Sequence, residues 1–195
     1  TPCVRLGAVT APERGGRVGM DDVAAAYEMT EHLIGLGHRD IGFIAGDARF
    51  AATQMRRQGF LDAMQAHGIA PRAEWLVEGD FTFESGMACG RQLLGGKGRP
   101  TAIFASNDDM ALAVLRVAAE LGLKSPDDVS VAGFDNTPSA QLSSPPLTSI
   151  RQPVGEMAVE ATDMLLQMIR GEPLESRARV LPFTLVQGGS TGPVG

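Results

Sequence analysis

TAIFASNDDMALAVLRVAAELG, residues 101–122, decides the fold. Its first six residues form a short apolar run. Three Asx residues follow at 107–109, and from 110 the apolar positions recur at helical spacing. A strand that hands over to a packed helix within three residues is half of a βαβ unit, the building block of parallel sheets. The same alternation extends in both directions. Strands are expected at CVRLG (3–7), DIGFIAG (40–46), WLVEG (75–79), TAIFAS (101–106), VSVAGFD (129–135), LTSI (147–150) and RVLPFTLV (179–186). Helices are expected at 22–36, 53–67, 83–95, 108–121 and 154–169. The fold class is α/β with doubly wound parallel sheets.

The helix at 22–36 places Val23, Ala26, Tyr27, Thr30, Leu33 and Ile34 on one face, and Gly37 follows as a left-handed stop. In 154–169 the set Val154, Met157, Ala158, Ala161, Leu165, Met168 and Ile169 repeats the pattern between Pro153 and Gly171. Its methionines read as core filling. Two stretches, AVTAPERGGRVGM (8–20) and TPSAQLSSPP (137–146), are periodic in nothing and read as loops. The intact αβ run between them reads as one lobe.

Composition narrows the function. The chain has 195 residues, 44% apolar and 21% charged, which suffices for a buried core. Lys+Arg 17 against Asp+Glu 23 leaves a net charge of −6, a poor match to a phosphate backbone. The apolar runs at 41–45 and 110–119 fall short of the ~20 residues of a membrane helix, so no membrane partner is expected. TPCVRLGAV lacks the basic start and long apolar core of a signal peptide. Cys3 and Cys89 show no CxxC spacing and fit a reduced, cytoplasmic setting.

Motifs for chemistry are missing. His32, His38 and His67 have no metal-ligand spacing, and neither HExxH nor GxSxG occurs. LLGGKGRP (93–100) departs from a phosphate loop at Arg91 and Gly98 and reads as a helix-ending turn. No cofactor, no metal and no catalysis are expected.

Open α/β sheets bind ligands beyond the carboxyl ends of their strands. Arg56 lies in the first turns of a helix following DIGFIAG; it reads either as a guanidinium gripping two ligand oxygens or as a solvated surface residue. Phe81, after WLVEG, is either a stacking wall for a sugar or base, or a cap on the core. One of Asn107, Asp108 and Asp109 caps the following helix, leaving Asn107 to hydrogen-bond a ligand. Asp135 emerges from a buried strand and is suited to accept from vicinal hydroxyls; alternatively, with Asn136, it starts a turn into Thr137 and Pro138.

The ordered set DD…EMTEHLIGLGHRDIGFIAG (21–46), MRRQGFLDAM (55–64) with HGI (67–69), GDF…SG (79–86), PTAIFASNDDMAL (100–112), SPDDVSVAGFDN (125–136), PPLTSIRQP (145–153) and LPFTLVQGGST (181–191) resembles the effector-binding module of LacI/GalR-type transcriptional regulators. The resemblance covers residues 18–191 and implies a two-lobed, periplasmic-binding-protein-like fold. It places Arg56, Phe81, Asn107 and Asp135 at effector-contacting positions and Gln152 at the last crossover, facing the ligand. It assigns 21–150 and 180–195 to the carboxyl-side lobe, and 1–20 and 151–179 to remnants of an incomplete amino-side lobe.

The departures are Asn136, where many relatives carry Asp, Ala52, where a Ser or Thr is common, and QGG (187–189), which replaces an Arg. The family's helix-turn-helix is absent from the chain, which therefore looks like a fragment with apolar surface bared on 151–170. What the resemblance implies is a regulator of repressor type. It would be a homodimer, controlled by a small polar effector such as a sugar, and would contact operator DNA only through the absent helix-turn-helix. The alternative is an exported sugar-binding protein of a transporter; an enzyme of the doubly wound class ranks last.

Overall fold

The computed structural model describes residues 1–7, 15–96 and 98–195. In chain order the elements are β1 (Val4–Leu6), β2 (Gly16–Gly19), α1 (Asp22–Gly35), β3 (Ile41–Ala45), α2 (Ala51–Ala66), a 3-10 turn (Ala73–Trp75), β4 (Leu76–Glu78) and α3 (Phe83–Leu94). There follow β5 (Ala102–Ala105), α4 (Asp108–Glu120), β6 (Ser130–Asp135), α5 (Pro138–Leu142), β7 (Thr148–Arg151), α6 (Val154–Arg170), β8 (Ala178–Val180) and β9 (Thr184–Val186).

The larger sheet runs β4-β3-β5-β6-β7-β9. Its first five strands are parallel, and β9 closes the edge antiparallel to β7. Pleat alternation sorts its side chains to two faces. Phe43, Ala45, Ala102, Phe104, Ala132 and Phe134 pack on Met29 and Leu33 of α1 and Phe60 and Met64 of α2. Ile44, Val77, Ile103, Ala105 and Val131 pack on Cys89 and Leu93 of α3 and Met110 and Val114 of α4. Phe43 anchors the first layer, stacked on Phe60 at 4.8 Å and meeting Phe104 edge-on at 5.5 Å. Because α2 returns the chain to one side of β3 and α3 carries it to the other, the strand order reverses between β3 and β5. Their carboxyl ends therefore diverge around a crevice.

The smaller sheet, β1-β2-β8, is all parallel and carries α6 on one face, with Val18 packed against Met157, Ala161 and Met164. The outward side of α6 leaves Val154, Val159, Leu166 and Ile169 exposed. Chain segments 20–21, 152–153 and 181–183 link the two sheets.

Three expectations are corrected. The loop at 8–20 contains a central strand, Gly16–Gly19, although residues 8–14 lie outside the described part. Its glycines are close-approach positions: a Cβ on Gly16 would lie 2.3 Å from Met164 Sδ, and one on Gly19 would lie 2.6 Å from the Gly7 carbonyl oxygen. The single strand at 179–186 is two strands in two sheets, separated by Leu181-Pro182-Phe183. The turn-rich 137–146 includes the short helix α5. The turn at 93–100 is entered as α3 ends at Gly95, and Lys97 lies outside the described residues.

Helices α1 and α2 touch through Gly59, where an added Cβ would lie 2.1 Å from the Val23 carbonyl oxygen. Backbone cannot yield as a side-chain tip would, so Gly59→Ala is expected to lower stability by about 1–3 kcal/mol in urea denaturation. A variant as stable as the parent contradicts this packing.

Candidate functional site

Arg56 lies in the second turn of α2, buried at 6% exposure. Its Nε donates to Asp22 Oδ1 at 2.8 Å, and its Nη1 to the Ser106 carbonyl oxygen at 2.6 Å. The guanidinium carbon lies over the Phe134 ring, 3.7 Å from its centroid. It does grip two oxygens, as the sequence suggested, but both belong to the protein. Asp22, itself 2% exposed, opens α1, while its neighbour Asp21 is the N-cap. One cation thus ties α1, α2 and the ends of β5 and β6 together.

Asp135, the last residue of β6, has φ +119°, and Asn136 follows at +54°. Burial is the main cause raising the Asp135 pKa from 3.8 to about 6; the Arg56 charge and a hydrogen bond from Gln152 pull it back. Gln152 Nε2 donates to Asp135 Oδ1 at 2.5 Å, from the segment that links β7 to α6. A carboxylate with one oxygen held by an amide and a cation nearby suits polar ligand hydroxyls.

Asn107 is not free, contrary to expectation. Its Oδ1 accepts from Met110 N at 3.1 Å, making Asn107 itself the N-cap of α4, and its Nδ2 donates to the Phe81 carbonyl oxygen at 2.9 Å. Asn107 therefore joins the end of β5 to the loop after β4. Phe81 itself has φ +71°. Its ring covers Gly46, where a Cβ would sit 2.0 Å from the ring, and it meets Phe50 edge-on at 5.9 Å. It also packs against the core, as the cap reading expects.

Phe81, Asn107, Asp135 and Gln152 thus occupy the carboxyl ends of β4, β5, β6 and β7, and Arg56 reaches the ends of β5 and β6 from α2. Arg56, Asp135 and Gln152 form one electrostatic group, and Phe81 and Asn107 a second. Sequence reasoning missed Asp22, Ser106, Gly46 and Phe50. Phe50, 55% exposed in the loop before α2, carried the one readable signal: a large ring in an otherwise polar loop.

Other polar clusters are elsewhere. Burial lowers the pKa of both His32 and His38. These two rings bond Thr191 and Gly192, pinning the end of the chain beside α1. Hollows of about 370 Å³ beside His32 and Thr191, and about 510 Å³ beside Tyr27 and Phe183, are lined by none of the five candidates. Among the described residues no group of three or more His, Cys, Asp or Glu is placed to hold a metal ion, and no helix is long and apolar enough to cross a membrane.

A doubly wound α/β unit with polar groups converging on its strand ends, joined by three segments to a second parallel sheet, has the architecture of a ligand-binding domain. A family model described as periplasmic binding protein-like domain matches residues 30–191. A LacI-family regulatory protein from Chloroflexus aggregans superposes with a TM-score of 0.91 and 33% identity, over 98% of this chain and 69% of that one. The chain belongs to the periplasmic binding protein-like domain family, in its LacI-family branch. The transcriptional repressor CytR of Escherichia coli K12 is 39% identical over 174 residues, 89% of this chain and 51% of that protein. A regulator named CelR, solved with cellobiose, matches with a TM-score of 0.90 and 36% identity, over 96% of this chain and 58% of that one. The chain spans about half the length of the curated relatives it matches. These relatives are transcriptional regulators rather than enzymes.

Removing the guanidinium would strand Asp22 as a buried, uncompensated carboxylate and leave the Ser106 carbonyl without its donor. Arg56→Ala is therefore expected to cost about 3–5 kcal/mol of stability in chemical denaturation. Combining it with Asp22→Ala should recover part of the loss, whereas strictly additive losses would show that the pair does not act as a unit.

Proposed function

We propose that this chain is the effector-sensing part of a transcriptional repressor, and that a small polar molecule, a sugar or related metabolite, binds at the carboxyl ends of β3 to β7. Residues 21–150 and 180–195 form its carboxyl-side lobe, and residues 1–20 and 151–179 contribute to the amino-side lobe. Asp135 carries this reading: its carboxylate is half-buried beside a cation, yet among the described residues only one of its oxygens takes a hydrogen bond from a side chain. Arg56 supplies positive charge, and Gln152 holds Asp135 in place. Phe81 and Phe50 offer ring faces to a sugar's apolar side, while Asn107 fixes the Phe81 loop. The cellobiose bound to a similar regulator supports a sugar-like effector.

The same geometry suggests a mechanism. Gln152 sits on a segment between the sheets, so a ligand that competes for Asp135 changes the forces on that joint. A coupling of about 1–3 kcal/mol between ligand and lobe orientation is enough to switch a regulator. The whole protein acts in the cytoplasm as a homodimer, with operator DNA read by a helix-turn-helix outside this chain. The relatives' names favour this over an exported sugar-binding protein.

Vicinal hydroxyls donate best to an ionised acceptor. Affinity for an effector found by thermal-shift screening of sugars is therefore expected to fall as pH drops through about 6, and Asp135→Asn should weaken binding about tenfold or more at pH 7.5. Calorimetric titration checks both; unchanged affinity in the variant removes Asp135 from the site. The stability effect has the opposite sense. Because the folded-state pKa is raised above 3.8, this group's stabilising contribution is complete at low pH and lost as pH rises through about 6. Asp135→Asn should therefore gain thermal stability relative to the parent between pH 4.5 and 7.5.

A further inference from the structure

The turn that presents Asp135 is held in an unfavourable shape. Two successive non-glycine residues, Asp135 and Asn136, have positive φ, a combination that persists only where the surroundings impose it. Asn commonly tolerates the left-handed region through a local hydrogen bond from its own side chain. Here Asn136 Oδ1 is buried without a hydrogen-bond partner among the described residues, so the side chain does not hold the turn itself.

The restraint comes from beneath. Asp108, fully buried at the start of α4, accepts from Thr137 N through Oδ2 at 2.6 Å and from Ser149 Oγ through Oδ1 at 2.6 Å. Ser149 on β7, also fully buried, accepts in turn from Asn136 N at 3.0 Å. The two backbone N–H groups that follow Asp135 are thus captured by one carboxylate, one directly and one through a hydroxyl. Gly133 leaves room for this, since a Cβ there would lie 2.5 Å from Asp108 Oδ1.

We propose that Asp108 and Ser149 are positioning residues for the effector site, holding residues 135–137 in the strained turn that sets the Asp135 carboxylate against Gln152. Without the lock, the turn relaxes toward negative φ and the carboxylate leaves its half-buried place. The importance of this for effector binding rests on the reading of Asp135 given above; the lock itself is testable without any effector. Asp135 faces Arg56 from α2, Gln152 from the β7–α6 link, and Asp108 and Asp109 from α4. A change in its position therefore changes its titration.

The experiment is side-chain carboxyl NMR of the 13C-aspartate-labelled chain across pH 3–8, with Asp135→Asn assigning the resonance. The parent carboxyl is expected to titrate at about 6. In Ser149→Ala it should move down toward the ordinary carboxylate range. Asn136→Gly in that background, which removes the φ strain at 136, should bring it back. Ser149→Cys, of similar size, serves if the alanine variant fails to fold by circular dichroism. A titration unmoved by either Ser149 substitution overturns the proposal. A shift that Asn136→Gly does not reverse also overturns it, because Ser149 would then act through packing rather than through the turn. Effector affinity, measured separately, tests only the reading of Asp135 as a ligand-binding residue.

Discussion

The ion pair between Arg56 and Asp22, closed by the Ser106 carbonyl, is the interaction on which the site depends. It lies where strand order reverses, between β3 and β5, and it is almost completely withdrawn from water. A buried pair of this kind is weak as a source of net stability, because each charge loses its hydration. Its effect is positional. Residues 34 apart in sequence are fixed on facing helix starts, and a cation is set over Phe134, one residue before Asp135. Burial would otherwise push the Asp135 carboxylate further toward its neutral form; the charge of Arg56 opposes that.

The surroundings of this centre are organised by backbone geometry. Phe81, Asp135 and Asn136, the non-glycine residues given positive φ among those described, all sit just beyond strands or at a strand's last residue, on the carboxyl side of the larger sheet. Each is tethered by a buried polar group from another element: Phe81 through Asn107, and the 135–137 turn through Asp108 of α4 and Ser149 of β7. Strain is thus concentrated at the one edge of the sheet that carries the candidate site. The opposite edge, with the last residues tied down by His32 and His38, shows a plain structural network of neutral rings and hydroxyls.

Much of the larger sheet was legible because its strands are short apolar runs and its helices strongly periodic, as in Ala102–Ala105 followed by Asp108–Glu120. Strand β2 was not, because GRVG has one bulky apolar residue and its glycines serve close approach rather than turning. The division of 179–186 was hidden for a different reason: both halves are β-prone, and only tertiary pairing assigns them to different sheets. Within the candidate site, the Asp135–Gln152 contact was not legible: Asp135 drew notice as a strand-end carboxylate, whereas Gln152 entered only through the family resemblance. Asn107 was misread, since the sequence shows three Asx residues at a helix start but not which one turns inward. Asp22 gave no signal, because an Asp doublet before a helix is already explained by capping.

The central claim is that a small polar effector binds at the carboxyl ends of the larger sheet's parallel strands. Amide hydrogen exchange, with and without a sugar selected by thermal shift, tests it most directly. Binding there predicts slowed exchange in segments 46–52, 80–83, 106–108 and 135–137 and at residue 152, with the opposite edge around Thr191 unchanged. Protection confined to residues 32–38 and 188–194, with those strand-end segments unaffected, would contradict it.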